Sequence, residues 1–221
     1  MRAAVFYAPE PDDRLAHAGA AWLGRDAERN IPIPQPSPKL ACITASPARY
    51  GFHATLKPPM NLATSLESLT TDIAAFAART APFPLPPLAV GQMGNALALL
   101  APSASASLQN LCDACVETLD SHRLPPDSAE LARRHQVTLS AAESAMLARW
   151  GYPYVFACGR FHLTLTSALP AKIIADRAEQ AVLHFAPALA VRRQVRSLAL
   201  FIEPAPGAAF VLARRFPLEG R

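Results

Sequence analysis

One five-residue pattern occurs twice in the 221-residue chain, as FHATL at residues 52–56 and FHLTL at residues 161–165, with the two histidines 109 positions apart. In an extended strand, successive side chains point to opposite faces. His53 and Thr55 therefore share one face, and the apolar residues of the pattern share the other. The pattern predicts a strand that packs on a core by one side and presents an imidazole and a hydroxyl on the other.

The second copy divides in the same way, with His162 and Thr164 on one face. The elements after each copy are also repeated. Helical periodicity over 66–79 and the turn pair Gly94–Asn95 follow the first copy, and a predicted helix over 170–185 and a turn at 204–207 follow the second. Because the order strand, helix and hairpin recurs, the sequence predicts an internal duplication with two lobes related by a pseudo-twofold axis.

Two further helices are predicted between the halves, at 108–121 and 140–150, the second opened by the capping box Ser140–Glu143. We expect a single bilobed domain spanning 1–221. It would have an N-terminal lobe of about residues 1–104, a helical insert of about 105–152 and a C-terminal lobe of about 153–221. Residues 25–50 lack periodicity and predict a long loop that leads into the first motif and is able to cover the cleft.

The composition limits the possible partners. A hydrophobic content of 51% is ample for a core, and the net charge of +4 is far from the dense basic stripes of a dedicated nucleic-acid-binding protein. The first residues form no apolar signal segment, and prolines interrupt the long uncharged stretch that begins near residue 80. The sequence therefore predicts cytoplasmic localisation, no membrane partner and a small anionic ligand.

Two such strands facing one cleft suit a phosphodiester. The threonine hydroxyls would bind its non-bridging oxygens, while one imidazole takes a proton from water and the other donates one to the departing oxygen. The residues leave open which histidine is the base, and the chemistry needs no metal and no cofactor. A metal site at the histidines is the alternative, but no third ligand stands at suitable spacing near either motif.

Other residues near the motifs are candidates for substrate contact. Lys57 continues the strand parity of His53, so we expect it to face the cleft and offset phosphate charge, unless it is a solvated strand-end lysine. Tyr50, Tyr154 and Arg160 also lie close to the motifs, and an aromatic ring can stack on a base or a sugar. Ordinary edge packing is the alternative interpretation of these three.

These residues resemble the two-histidine (2H) phosphoesterases, which are marked by a pair of His-x-Thr/Ser motifs. Wider segments resemble a poorly characterised branch encoded beside phosphonate-utilisation (carbon–phosphorus lyase) genes; they are Ala21–Asp26, Arg49–Lys57, Arg149–Tyr154 and Arg160–Thr166. The resemblance spans nearly the whole chain. It implies an α+β fold in which antiparallel sheets form a central cleft and helices pack on the outside.

By position, the resemblance makes His53 and His162 the acid–base pair and Thr55 and Thr164 the phosphate ligands. It implies hydrolysis of a cyclic phosphate or a related phosphodiester. The phosphonate branch suggests a 5-phosphoribosyl 1,2-cyclic phosphate. Three alternatives remain: an RNA-directed enzyme that opens 2′,3′-cyclic ends or joins ends by the reverse reaction, a binding module for a phosphorylated metabolite, and a structural partner of other enzymes.

Overall fold

The computed structural model describes residues 1–126 and 138–220. Its strands are β1 Arg2–Tyr7, β2 Arg25–Asp26, β3 Ile31–Pro32, β4 Ala54–Asn61, β5 Phe83–Pro84, β6 Ala89–Met93, β7 Ala96–Leu100, β8 His162–Thr164, β9 Gln194–Val195, β10 Ser197–Glu203 and β11 Val211–Pro217. Its α-helices are α1 Arg14–Leu23, α2 Ala41–Ala48, α3 Leu66–Arg79, α4 Ala106–Thr118, α5 Ala141–Trp150 and α6 Ala171–Leu189.

Seven strands form one antiparallel sheet in the order β11-β10-β1-β4-β8-β7-β6. The two motif strands, β4 and β8, are neighbours at its centre. The hairpin that follows each motif strand pairs in the opposite half, because β6–β7 borders β8 whereas β10–β11 borders β1. The predicted α+β class and the order strand, helix, hairpin are confirmed, and each half of the chain completes the sheet of the other.

Four α-helices contribute buried residues to one face of the sheet. Leu15 of α1, Ile73 of α3, Leu111 of α4 and Phe185 of α6 join one buried cluster with Val5 of β1. This arrangement follows from alternation along the strands, since every second residue of β1 and β10 enters that cluster. The remaining residues of these strands face the opposite side of the sheet.

A smaller aromatic cluster covers part of that opposite face. Phe6, Phe201 and Phe210 are buried there together with Ala27, and Tyr50 packs against them. Ala27 belongs to the segment 25–50, so the first part of that segment does lie over the sheet face that carries the motifs. Among the described residues, the cluster on this face contains no residue of a helix, whereas four α-helices contribute buried residues to the cluster on the other face.

The prediction of a structureless loop over residues 25–50 is wrong in its second half. A 3-10 turn over Pro38–Leu40 leads directly into α2, and the Ser37 hydroxyl accepts a hydrogen bond from the Lys39 amide at its start. Pro47 lies inside the last turn of α2. Because the helix is short, contains proline and does not collect its apolar residues on one side, its sequence has no helical period to detect.

The two helices predicted between the halves are confirmed as α4 and α5. Ser140 caps α5 with the predicted capping box, in which its hydroxyl accepts from the Glu143 amide and the Glu143 carboxylate accepts from the Ser140 amide. Residues 127–137 of the insert lie outside the described residues. In the described parts of the chain, no helix combines the length and apolar character needed to cross a membrane.

Candidate active site

The register of the two central strands gathers the motif residues into one patch. Ala54 of β4 pairs with Leu163 of β8, and both are buried on the helical side of the sheet. The residues flanking this pair therefore point to the other side, so His53 lies across from Thr164 and Thr55 across from His162. Facing side chains of antiparallel neighbours have Cβ atoms about 5 Å apart.

Both imidazoles are held by the same kind of hydrogen bond. His53 Nδ1 lies 2.9 Å from the Gly51 carbonyl oxygen, and His162 Nδ1 lies 2.6 Å from the Arg160 carbonyl oxygen. A carbonyl oxygen only accepts, so each Nδ1 carries the proton and donates it. In the neutral form, each Nε2 therefore keeps a lone pair. Thr55 Oγ1 lies 3.4 Å from Nε2 of His53, at the long end of hydrogen-bond range.

The environment keeps both imidazoles neutral near pH 7. The His53 ring stacks on Phe6, with centroids 3.7 Å apart. The pKa of His53 falls to about 4, mainly because of burial and in smaller part because of the charge of His162. Burial also lowers the pKa of His162, with a smaller contribution from the charge of Arg160. The influence of one histidine on the other agrees with their diagonal placement on adjacent strands.

Tyr50 and Arg160 lie beside these histidines. The Tyr50 ring stacks on Phe210 at 5.1 Å and stands 6.2 Å from the His53 ring. Arg160 is exposed, and it borders a cavity of about 270 Å³ together with Phe161. Tyr50 therefore lies beside His53, and Arg160 lies close enough for its charge to affect His162.

The prediction that Lys57 faces the cleft is wrong. A register shift between β1 and β4 pairs Phe6 with Thr55 but Val5 with Lys57, which moves Lys57 to the helical side of the sheet. Its side chain is fully buried, and Nζ donates to the Val116 carbonyl oxygen at 2.9 Å and to Asp120 Oδ1 at 2.8 Å. The lysine attaches α4 to the sheet instead of contacting a ligand.

The remaining residues to place are Tyr154, which the sequence predicted, and two arginines near Glu203, which it did not. Tyr154 is 44% exposed and packs edge-on against Tyr152, so its contact with a substrate stays a prediction. Sequence reasoning missed Arg2 and Arg49, which meet at Glu203 on the face of the histidines. The alternation of Arg2 with the residues of β1 that face the histidines was the signal that could have placed the first of them.

Fold and site together define an α+β protein with two His-x-Thr strands side by side on the open face of one antiparallel sheet. Residues 55–211 match the family described as "Protein of unknown function (DUF1045)", and the chain belongs to that family.

Two curated relatives carry the name "Ribose 1,5-bisphosphate phosphokinase PhnN". The protein of Laribacter hongkongensis (strain HLHK9) is 41% identical over 97% of this chain, and that of Janthinobacterium sp. (strain Marseille) is 37% identical over 100% of it. The chain spans about half the length of these relatives, 51% of each.

Two solved structures align with the chain at low similarity. "Crystal structure of phosphoesterase" has a TM-score of 0.45 and 12% identity, with 98% of each chain covered. The protein TT0787 of Thermus thermophilus has a TM-score of 0.45 and 15% identity, with 100% of each chain covered.

Proposed function

We propose that the protein is a metal-independent phosphodiesterase that opens a cyclic phosphate on a small phosphorylated ribose compound, with His53 and His162 as the acid–base pair. The observation that carries this proposal is the arrangement of the central strands. It sets two imidazoles and two threonine hydroxyls on one face, and each Nδ1 is tied to a backbone carbonyl. Both Nε2 atoms are thereby left for proton transfer across a group bound between them.

In the proposed reaction, Thr55 and Thr164 donate hydrogen bonds to the non-bridging oxygens of the phosphate. Water attacks phosphorus as one imidazole Nε2 takes its proton. The ester bond to the ring oxygen breaks, and that oxygen receives a proton from the Nε2 of the other imidazole. The product is an open phosphate monoester with a free hydroxyl. The next cycle begins once the base has released its proton to solvent and the acid has taken one up.

The burial of His53 against the Phe6 ring favours this histidine as the base. Its pKa of about 4 keeps it unprotonated at neutral pH, as a base must be. His162 would act as the acid, which requires a proton on its Nε2 as well as on Nδ1. A bound phosphate anion supplies the reason, because a negative charge within a few Å raises the pKa of an imidazole. We assign to Arg160 the role of binding the same phosphate, beside His162.

The substrate class rests on two lines of support. The resemblance to 2H phosphoesterases of phosphonate utilisation suggests a cyclic phosphate of a phosphorylated ribose, and the relatives' name mentions a ribose bisphosphate. The phosphokinase activity in that name belongs to proteins about twice as long. This sequence contains no Gly-Lys pair and therefore no G-x-x-x-x-G-K-[ST] loop for a nucleotide triphosphate, which favours hydrolysis over phosphoryl transfer from such a donor.

Phosphorus NMR on a panel of cyclic phosphates tests the proposal. We expect chelator-treated protein to open a ribose cyclic phosphate, and His53→Asn and His162→Asn each to reduce the rate at least a hundredfold. Asparagine retains a donor for the backbone carbonyl but lacks Nε2. His17→Asn, on the exposed side of α1, is the matched control and keeps the rate.

Three results would contradict the proposal. If the wild-type protein opens none of the cyclic phosphates, the proposed activity is refuted. Binding without turnover would then favour a metabolite-binding module. Full activity in both His53→Asn and His162→Asn would refute the acid–base mechanism. A preference for oligonucleotides with 2′,3′-cyclic ends, weakened steeply by salt, would identify an RNA-directed enzyme instead.

A further inference from the structure

Arg2 and Arg49 converge on one buried carboxylate. Arg2 donates to Glu203 through Nε and Nη2, and Arg49 donates to it through Nη2. The Glu203 side chain is 2% exposed, whereas those of Arg2 and Arg49 are 28% and 36% exposed. The hydrogen bond from Arg2 is the main reason that the pKa of Glu203 falls to about 2, so the carboxylate is ionised at neutral pH. Two guanidinium groups against one carboxylate leave one positive charge, and it lies on the exposed side.

This arginine pair lies on the same sheet face as His53. Arg2 alternates with Phe6 along β1, and its guanidinium lies 5.5 Å from the centroid of the Phe210 ring. The hydrogen bond to Glu203 is the main reason that the pKa of Arg2 is raised. The Arg49 guanidinium lies 5.7 Å from the centroid of the Tyr50 ring, and that ring is 6.2 Å from the His53 ring. Tyr50 therefore spans the space between the arginine pair and the first motif.

We propose that Arg2 and Arg49 bind a second phosphate of the substrate. Arg49 Nε also donates to the Ala208 carbonyl oxygen at 3.3 Å. Among the described residues, the hydrogen bonds of both arginines use Nε and Nη2, and neither Nη1 forms one. Planar N–H groups of this kind bind phosphate oxygens with charge-assisted hydrogen bonds. This inference rests on the proposed function, since it places the cyclic phosphate at the histidines. The substrate class is then a pentose with a cyclic phosphate at one end and a phosphate monoester at the other.

A second ion pair in the protein shows what a purely structural arrangement looks like. Arg193 pairs with Asp13 at 3.0 Å, with side chains 8% and 16% exposed, so that one arginine neutralises one carboxylate and both are largely buried. The cluster at Glu203 differs in both respects. It holds one cation more than the carboxylate needs, as Asp120 also does with Lys57 and Arg123, but at Asp120 both of these cations are less exposed than the anion. At Glu203 the cations are exposed and the anion is hidden. That asymmetry is expected of an anion-binding site.

Steady-state kinetics on two matched substrates tests the inference. They are a ribose cyclic phosphate with a free 5-hydroxyl and the same compound with a 5-phosphate. We expect Arg49→Met to raise KM at least tenfold for the 5-phosphorylated compound and to leave KM for the other within twofold. Glu203→Gln keeps the hydrogen-bonding shape but removes the negative charge, so it should lower KM for the 5-phosphorylated compound. Arg29→Met, an exposed arginine elsewhere on the surface, is the control.

A binding measurement separates this inference from the proposed function. Titration calorimetry of both compounds on the His53→Asn/His162→Asn double variant needs no turnover, and we expect the 5-phosphorylated compound to bind at least tenfold more tightly. If that preference is present while the wild-type protein opens neither compound, the phosphate site stands and the proposed reaction falls. If ring opening proceeds with equal KM for both compounds, or if Arg49→Met raises both KM values equally, the second phosphate site is refuted.

Discussion

Replacing His53 by asparagine should change the pH dependence of stability in a calculable way. Burial holds the pKa of folded His53 at about 4, whereas an unfolded histidine titrates near 6.5. Between these values the unfolded chain binds the proton and the folded protein does not, so the free energy of unfolding falls as the pH decreases from 6.5 to 4. The full difference corresponds to about 3 kcal/mol for this one group.

The assay is urea unfolding of the wild type and His53→Asn at pH 7.5 and pH 4.5. Asparagine keeps a donor for the Gly51 carbonyl but cannot titrate, so the variant lacks this part of the pH dependence. Between pH 7.5 and pH 4.5, the free energy of unfolding of the wild type should fall by about 2 kcal/mol more than that of the variant, which is most of the full difference. His162 remains in both proteins and contributes equally to each.

Two results would refute this reasoning. One is a pH-independent difference in unfolding free energy between wild type and variant. The other is an NMR titration in which the His53 ring protonates near pH 6.5. In the presence of a phosphate-like anion, this pH dependence should become smaller, because a bound negative charge stabilises the imidazolium and raises the pKa of His53 toward its unfolded value.

Three further predictions concern roles and packing. His162→Asn should still hydrolyse a phosphodiester with a nitrophenolate leaving group, which needs no acid, whereas His53→Asn should not; equal losses would contradict the assignment of the base. Lys57→Met should leave kcat unchanged, and a large loss of kcat would contradict this. Asp120→Ala leaves the buried ammonium without its carboxylate and should lower the free energy of unfolding by about 3 kcal/mol; an unchanged free energy of unfolding would contradict this. Gly19→Ala should lower Tm by several degrees, because its Cβ would lie 2.1 Å from the aromatic ring preceding His53, and an unchanged Tm would show that the ring yields freely.

Strand alternation alone predicted which residues of β4 and β8 share a face. The prediction worked for His53 and Thr55 because the register up to that point is regular, with Phe6 opposite Thr55. It failed two residues later at Lys57, where the register of β1 against β4 shifts. A bulge of this kind depends on the partner strand and leaves no mark in the period of its own sequence.

The cluster around Glu203 illustrates the other limit. Arg2 and Glu203 are 201 positions apart and meet only because β1 and β10 are neighbours in the sheet. The order of strands in a sheet is a property of the whole chain, so neither residue could be assigned a partner from local pattern. The repeated succession of elements predicted two related halves, but it did not indicate that their hairpins pair across the sheet.

The pairing of each hairpin with the other half of the chain affects how the protein folds during its synthesis. β1 is bordered on one side by β4 and on the other by β10, and β8 is bordered on its outer side by β7. During synthesis, β1 therefore remains an open edge until the ribosome has passed residue 203, and long-range closure of this kind slows folding. A ribosome-bound first half presents its motif histidine without a second one. Two fragments cut between the halves should gain ordered structure only when mixed.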